Sequence, residues 1–347
     1  MTKYKLFGHN WHLGHDLELV RLPFIEWDFL INHYRKWTKT HYWLRGIEKF
    51  PNVNLVTHYE PGKYDAALLH IDQQIVQPGI KKGNLYKELN EVITDIPKIV
   101  LNHGTPMLDV PGMTPDIIIN GGKLVIKGKM ETITGVRESV GDNFHLSNSK
   151  EACEQWGFGD YIIHGMKPED WWDLPKEPRV FIAQSEAGMS DVYYGRRLLE
   201  AVRTELRISY GIDLIHAPVN YSSEKDGEYP NYFDAYRNML GRSLLYFNPT
   251  GNSPMPRART EAMFSGCCVI STDNHGINEI IKDGENGFLV GQDPFMIAKL
   301  INDLIHYRFD EAVAIGQKGK QTAIEKLHFD RFADDWKKYL QKVIGGK

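Results

Sequence analysis

Cysteine is nearly absent from this chain: Cys153 and the adjacent pair Cys267 and Cys268 are all it has. Three thiols cannot build a disulfide framework and neighbouring cysteines rarely bridge, so the expected setting is reducing and cytoplasmic. No apolar run approaches the roughly 18 residues that a membrane-spanning helix requires. The opening stretch, Met1-Thr-Lys-Tyr-Lys-Leu-Phe-Gly-His-Asn10, lacks the apolar segment and small-residue site of a secretory signal. Nor is there an excess of one charge: 41 basic against 45 acidic side chains leave a net charge of −4. Nucleic acid and acidic membranes therefore gain no global electrostatic attraction. No Asp-x-Asp triplet, the usual carboxylate pair for holding a divalent cation on a diphosphate, occurs anywhere.

What is present is ordinary globular composition, 42% hydrophobic and 25% charged, over 347 residues, a length that suits two domains. Short runs rich in Val, Ile and Leu predict strands at Lys5–Gly8, Asn54–Thr57, Ala66–Ile71, Lys98–Asn102, Ile117–Asn120 and Asn143–Leu146. Helical composition between them, as at Asn84–Ile93 and Lys150–Trp156, indicates a parallel sheet covered on both faces. The second half repeats the pattern. Strands are expected at Arg179–Ala183, Asp213–Ala217, Ser243–Phe247 and Cys268–Ser271. Helices are expected at Gly195–Leu206, Phe233–Leu240, Arg259–Ser265, Ile277–Ile281 and Phe295–His306. The segment Gly165–Pro178, with three prolines and no periodicity, reads as a linker. Phe332, Trp336, Tyr339 and Leu340 predict a final amphipathic helix over Asp330–Val343. The fold expectation is α/β, two Rossmann-like doubly wound domains facing across a cleft. The first takes residues 1–165 and is closed by the C-terminal helix 330–347; the second takes residues 166–329.

Chemistry concentrates between Tyr246 and Leu289. A strand ends at Asn248, a loop of Pro, Thr, Gly251, Asn and Ser253 follows, and a helix begins near Arg257–Arg259. A loop of small residues opening onto a helix start is an anion site, because unpaired amides and the helix dipole face the ligand. Arg257 and Arg259 add bidentate cations beside it. A second strand leads into Thr272-Asp-Asn-His275-Gly276, and two adjacent strand–loop–helix crossings form a crevice at the carboxyl edge of the sheet. Two ordinary crossovers with capped helices are the plainer reading of the same residues.

The run Thr260-Glu-Ala-Met-Phe-Ser-Gly-Cys-Cys-Val-Ile-Ser-Thr-Asp273, continued by Gly276-Ile-Asn-Glu-Ile-Ile-Lys-Asp-Gly-Glu-Asn-Gly-Phe-Leu-Val290, resembles the donor-binding signature of family 4 glycosyltransferases. Phe144–Glu151 and Ile163–Met166 resemble the end of that family's first domain, and Phe329–Leu340 resembles its closing helix. The resemblance implies a GT-B fold and retaining transfer of a hexose or pentose from a nucleotide-diphosphate donor, and the missing Asp-x-Asp triplet predicts that the transfer is metal-independent. It implies no cofactor beyond that co-substrate, and an acceptor that is a glycan or lipid-linked glycan. It places Glu261 on the nucleotide ribose, with Thr260 and Gly251 beside the donor. The family's earlier signature glutamate falls on Ser253, and its usual cation pair early in the second domain is missing, so Arg257 and Arg259 are expected to replace it. His103, after the strand Lys98–Asn102, is expected from the resemblance to face the donor sugar, the alternative being a histidine merely exposed at a capped strand end. Gly14 and His15 in the first crossing, and His275 and Gly276 in the second domain, are expected near the diphosphate or acceptor. His9, His12 and His15 recur every three residues without a known zinc spacing.

The segment His33–Lys49 carries five cations against one acid among aromatics. It reads as an amphipathic helix with solvated charges, or as a dock for a phosphorylated acceptor, a lipid surface at the membrane periphery or a nucleic acid strand. Two other functions compete: a transferase of this fold acting on hydroxylated bases in DNA, and a catalytically silent sugar-nucleotide binding or scaffold protein, the latter suggested by Ser253.

Overall fold

The computed structural model describes residues 3–345 apart from 12, 32–51, 107–116, 121–122, 127–129, 184–190, 218–231, 254 and 275. The basic aromatic segment His33–Lys49, His12 and His275 thus lie outside the described residues. The chain divides into two compact units, Met1–Leu108 with Lys127–Met166 and Phe329–Lys347, and Asp109–Ile126 with Lys167–His328.

The first unit is built on a seven-stranded sheet. Its strands are β1 (Tyr4–His9), β2 (Ile25–Leu30), β3 (Val53–Val56), β4 (Ala66–Ile71), β5 (Lys98–Asn102), β8 (Phe144–Ser147) and β9 (Asp160–Tyr161). They pair in the order β3-β2-β1-β4-β5-β8-β9, every pair parallel. The order reverses between β1 and β4, so the crevice of a doubly wound sheet opens at the carboxyl ends of these two strands. All six residues of β4 are buried, as its nearly continuous Ala, Leu and Ile sequence requires of a strand covered on both faces. Leu6, Trp27 and Leu68 join a core on one face; Phe7, Ala67, Leu69 and Trp156 join another. The helix Phe329–Gly345 lays Phe332, Trp336, Leu340 and Val343 into the first of these cores, as the spacing of its apolar residues predicts.

Two expectations change here. Ile117–Asn120 does form a strand, β6, but it pairs antiparallel with β7 (Lys123–Ile126) in a separate two-stranded sheet. Only Gly121 and Gly122 separate the two runs in sequence, which is a hairpin signal rather than a crossover. β2 is absent from the sequence reading because Glu26 and Asp28 interrupt its apolar run. Buried Asp28 accepts a hydrogen bond from Asn54 Nδ2 at 3.0 Å and another from the Tyr64 hydroxyl at 3.1 Å.

The second unit carries a five-stranded parallel sheet in the order β11-β10-β12-β13-β14. Its strands are β10 (Glu177–Ile182), β11 (Leu214–His216), β12 (Ser243–Asn248), β13 (Cys268–Thr272) and β14 (Phe288–Val290). The proline-rich stretch before β10 is not a bare linker: Trp171 is buried, with its ring edge-on to Phe233 at 5.7 Å and Tyr236 at 6.3 Å. The helix expected at Ile277–Ile281 is only a short 3-10 turn, Ile277–Glu279. A long helix, Phe309–Leu327, was not foreseen, since Gly316 and Gly319 lower the helical propensity of its interior. Their purpose is close approach. A Cβ on Gly316 would stand 2.4 Å from the Gly266 carbonyl oxygen, and one on Gly319 2.7 Å from that of Asn286. Gly316→Ala is accordingly expected to destabilise the chain by about 1–3 kcal/mol, because backbone rather than a flexible side chain must move. A lowered midpoint of denaturant unfolding checks this; an unchanged midpoint contradicts it.

Candidate functional site

In the second unit, β12 and β13 lie side by side and deliver two loops to the carboxyl edge of the sheet. The loop after β12 is fixed from both sides. Its Gly251 and Asn252 amides donate to the Tyr193 carbonyl at 3.0 and 3.1 Å. Across from it, Asn274 Nδ2 donates to the Thr250 carbonyl at 2.6 Å and the Thr272 hydroxyl donates to the same oxygen. Gly195, in left-handed backbone with φ 64°, lies so close that a Cβ would stand 2.0 Å from the Pro249 carbonyl oxygen. Packing of this kind pre-organises the loop for a ligand. The helix Arg257–Phe264 starts where the loop ends, and its N-cap, Pro256, provides no side-chain hydrogen bond. The positive end of the helix dipole is thus left without a capping acceptor from that residue, which suits an anion.

Glu261 is 2% exposed and held on both carboxylate oxygens. Its Oε2 accepts from the Tyr236 hydroxyl at 2.6 Å, and its Oε1 accepts from Arg257 Nε at 2.9 Å. Arg257 therefore serves the carboxylate as well as the helix start, and is not the independent fork that the sequence suggests. Arg259 departs further from expectation. It is 1% exposed, its Nη2 donates to Met255 Sδ at 3.7 Å, and its Nε and Nη1 find no partner among the described residues. Burial pulls its pKa down to about 10. An arginine inside the unit cannot present a solvated fork beside the helix start. Thr260 is buried inside the helix, Ser253 is half-buried in the loop and Gly251 is buried there. Gly276 caps the 3-10 turn at φ 61°, in the left-handed region that glycine favours.

The first unit gathers histidines at its own switch point. His70, the penultimate residue of β4, is fully buried; its Nδ1 lies 2.8 Å from His103 Nε2, with the two rings within 12° of one plane. On the other side, His70 Nε2 lies 3.6 Å from Oδ1 of Asp16, a carboxylate 1% exposed. Asp16 Oδ2 accepts from the Trp11 amide at 3.2 Å. His9, at the end of β1, accepts the His70 amide on Nε2 at 3.1 Å. Burial holds its pKa near 3, so it stays neutral. His15 turns its ring edge-on to His103 at 5.4 Å. Gly14 belongs to the helix Leu13–Leu19, not to a glycine-rich loop. Among the described residues no group of three or more His, Cys, Asp or Glu could hold a metal ion.

The structure thus gathers His103 and His15 in one unit, and Gly251, Ser253, Arg257, Glu261 and Gly276 around two neighbouring loops of the other. Sequence reasoning missed Tyr236, Asn274, His70 and Asp16. The signal for His70 was legible: a histidine inside an otherwise apolar, doubly covered strand needs a buried partner. Nothing local marked Tyr236, which meets Glu261 only through the tertiary fold.

Residues 228–322 match the family described as glycosyl transferases group 1. Among curated proteins, the alpha-1,3/1,6-mannosyltransferase ALG2 of Mus musculus is 34% identical over 84 residues, 24% of this chain and 20% of that protein. The chain spans about a fifth of the length of the curated relatives it matches at this level. Among solved structures, HepE of Anabaena in complex with UDP and glucose aligns with a TM-score of 0.66 at 12% identity, covering 98% of this chain and 100% of that one. Sucrose-phosphate synthase of Thermosynechococcus elongatus aligns with a TM-score of 0.67 at 11% identity, covering 99% and 100%. The fold is that of the GT-B glycosyltransferases, with two parallel sheets of Rossmann-like type.

Proposed function

We propose that the chain is a glycosyltransferase whose second unit takes the nucleotide part of a nucleotide-diphosphate sugar. The observation that carries this reading is the pairing of an uncapped helix start at Arg257 with a buried carboxylate at Glu261, inside the residues that match the glycosyl transferases group 1 family. Helix amides suit the diphosphate, and a carboxylate accepts from two neighbouring ribose hydroxyls. Arg257 adds positive charge at the same place. His103 in the first unit is the candidate hydrogen-bond partner of a sugar hydroxyl. Retention is proposed from the resemblance to family 4 glycosyltransferases, and metal independence because helix amides and Arg257 can take the leaving-group charge. The sugar moved is a hexose or pentose, as in the named mannosyltransferase activity of one relative, and the acceptor hydroxyl is proposed to belong to a glycan or lipid-linked glycan. No helix among the described residues is long and apolar enough to cross a membrane, so a lipid-linked acceptor would be met at the surface.

The test is a panel of UDP-glucose, UDP-N-acetylglucosamine, GDP-mannose and ADP-glucose, read by release of nucleoside diphosphate with and without EDTA. Slow release with one donor, unchanged by EDTA, supports the reading. A thermal shift without turnover makes the chain a sugar-nucleotide binder, the reading that Ser253 favours. That outcome overturns the transferase reading, and the absence of both release and shift with every donor overturns nucleotide-sugar binding as well.

A further inference from the structure

The transferase reading uses His103 and leaves unexplained why a buried histidine and a buried carboxylate stand in line behind it. Asp16, His70 and His103 come from three different segments, the helix after β1, the end of β4 and the residue after β5. They converge where the strand order reverses. Placing Asp16 and His70 almost wholly out of water costs free energy that a packed apolar pair would not, so their alignment needs a reason.

We propose that Asp16 and His70 are positioning residues that lock His103 in the tautomer able to accept a hydrogen bond from a carbohydrate hydroxyl. The proposal rests on the transferase reading for its ligand, but not for its geometry. A carboxylate accepts only, so the His70 nitrogen 3.6 Å from Asp16, Nε2, carries its proton toward it. The contact is longer than a hydrogen bond, as such contacts often are before a ligand binds. His70 Nδ1 is then an acceptor, so in its 2.8 Å contact with His103 Nε2 the proton is carried by His103. The near-coplanar rings put that proton in the plane of the lone pair. With Nε2 of His103 protonated, its Nδ1 is the acceptor nitrogen. A carbohydrate hydroxyl donating to Nδ1 is oriented by it, and can pass its proton there if it becomes the attacking group. His9 beside His70 is neutral, and Lys82, which acts electrostatically on His9, is engaged by Asp72 at 2.6 Å. His15 faces His103 with its ring edge.

Three substitutions test this. His70→Leu and Asp16→Asn break the chain, whereas His70→Gln rebuilds it, because the glutamine amide donates to Asp16 and its carbonyl accepts from His103. With the donor that releases nucleoside diphosphate fastest in the panel above, kcat is expected to fall about 100-fold in the first two. KM should move less than threefold, and His70→Gln should recover activity to within tenfold of wild type. If the loss appears in donor hydrolysis alone, the hydroxyl is the donor's. If it appears only on adding a methyl glycoside as acceptor, it is the acceptor's. Wild-type kcat in both disrupting variants, or equal losses in all three, overturns the proposal.

A second readout needs no activity. Proton-coupled nitrogen NMR of imidazole-labelled wild-type protein should show both His70 and His103 protonated at Nε2. Asp16→Asn should shift this population. A doubly protonated His70, or His103 protonated at Nδ1, would reverse the chain and overturn the proposal. Circular dichroism and denaturant unfolding control for folding of the first unit in every variant. A wild type that binds and turns over no donor defeats the transferase reading, and the tautomers then decide the positioning claim by themselves.

Discussion

Glu261→Ala is expected to weaken nucleoside diphosphate binding by about two orders of magnitude. A charged hydrogen bond contributes roughly 1.5–3 kcal/mol, and the carboxylate is proposed to make two of them, one to each ribose hydroxyl. Glu261→Gln should lose about tenfold, since the amide still accepts through its oxygen but offers a donor where the second hydroxyl expects an acceptor. Removing the carboxylate also strips Tyr236 of its 2.6 Å partner and Arg257 of its ion pair. Some loss of stability will accompany the alanine variant, and the glutamine variant separates the two effects. Titration calorimetry on protein with unchanged circular dichroism makes the measurement. Wild-type affinity in both variants would remove Glu261 from the nucleotide site and with it the main support for the proposed function.

Acidification should destabilise the chain well before its carboxylates titrate. His9 and His145 are both buried and held neutral. Burial presses His9 from its ordinary 6.5 to about 3 and His145 to about 4, although the Phe158 carbonyl near His145 pulls the other way. His145 Nδ1 lies 3.1 Å from that carbonyl and Nε2 lies 3.1 Å from Asn102 Nδ2, so a neutral ring satisfies both. In the unfolded chain both rings take a proton near pH 6.5; in the folded chain they do not until far lower. Between these values the unfolded state holds more protons, so stability falls as pH falls. From pH 7 to pH 5 each histidine should remove about 2 kcal/mol, together about 4 kcal/mol. Denaturant unfolding of the full chain at the two pH values checks this, and His145→Gln should remove about half the difference. Equal stability at pH 7 and pH 5 would mean that the rings are not kept neutral. The carboxylate of Asp28 does not confuse the test. Burial pushes its pKa up, but hydrogen bonds from Asn54, Lys63 and Tyr64 outweigh that and hold it below the usual range. Its contribution is lost only at lower pH.

β4 and β5 stand at the bounds their apolar runs predict, because a strand buried on both faces writes its limits into composition. β2 was illegible for the opposite reason, its polar residues being satisfied by partners distant in sequence. The helix Phe309–Leu327 was hidden by the two glycines that let it pack. At the candidate site, the loop after β12 and Glu261 could be found locally, since small residues opening onto a helix and a carboxylate one turn later form a contiguous pattern. Arg257 and Arg259 look alike in sequence. Only the fold separates them, turning one to Glu261 and burying the other.

By itself the sequence determined the alternation of buried strands and amphipathic helices, the switch to a second α/β unit and the place of the loop before Arg257. These depend on periodicity and composition within a dozen residues, which any one segment carries. Tertiary structure decided which side chains meet: Tyr236 with Glu261, Asn274 with Thr250, Asp16 with His70 and His103. Those encounters join residues up to 54 positions apart, from Asp16 to His70, and strand order, not local pattern, sets them.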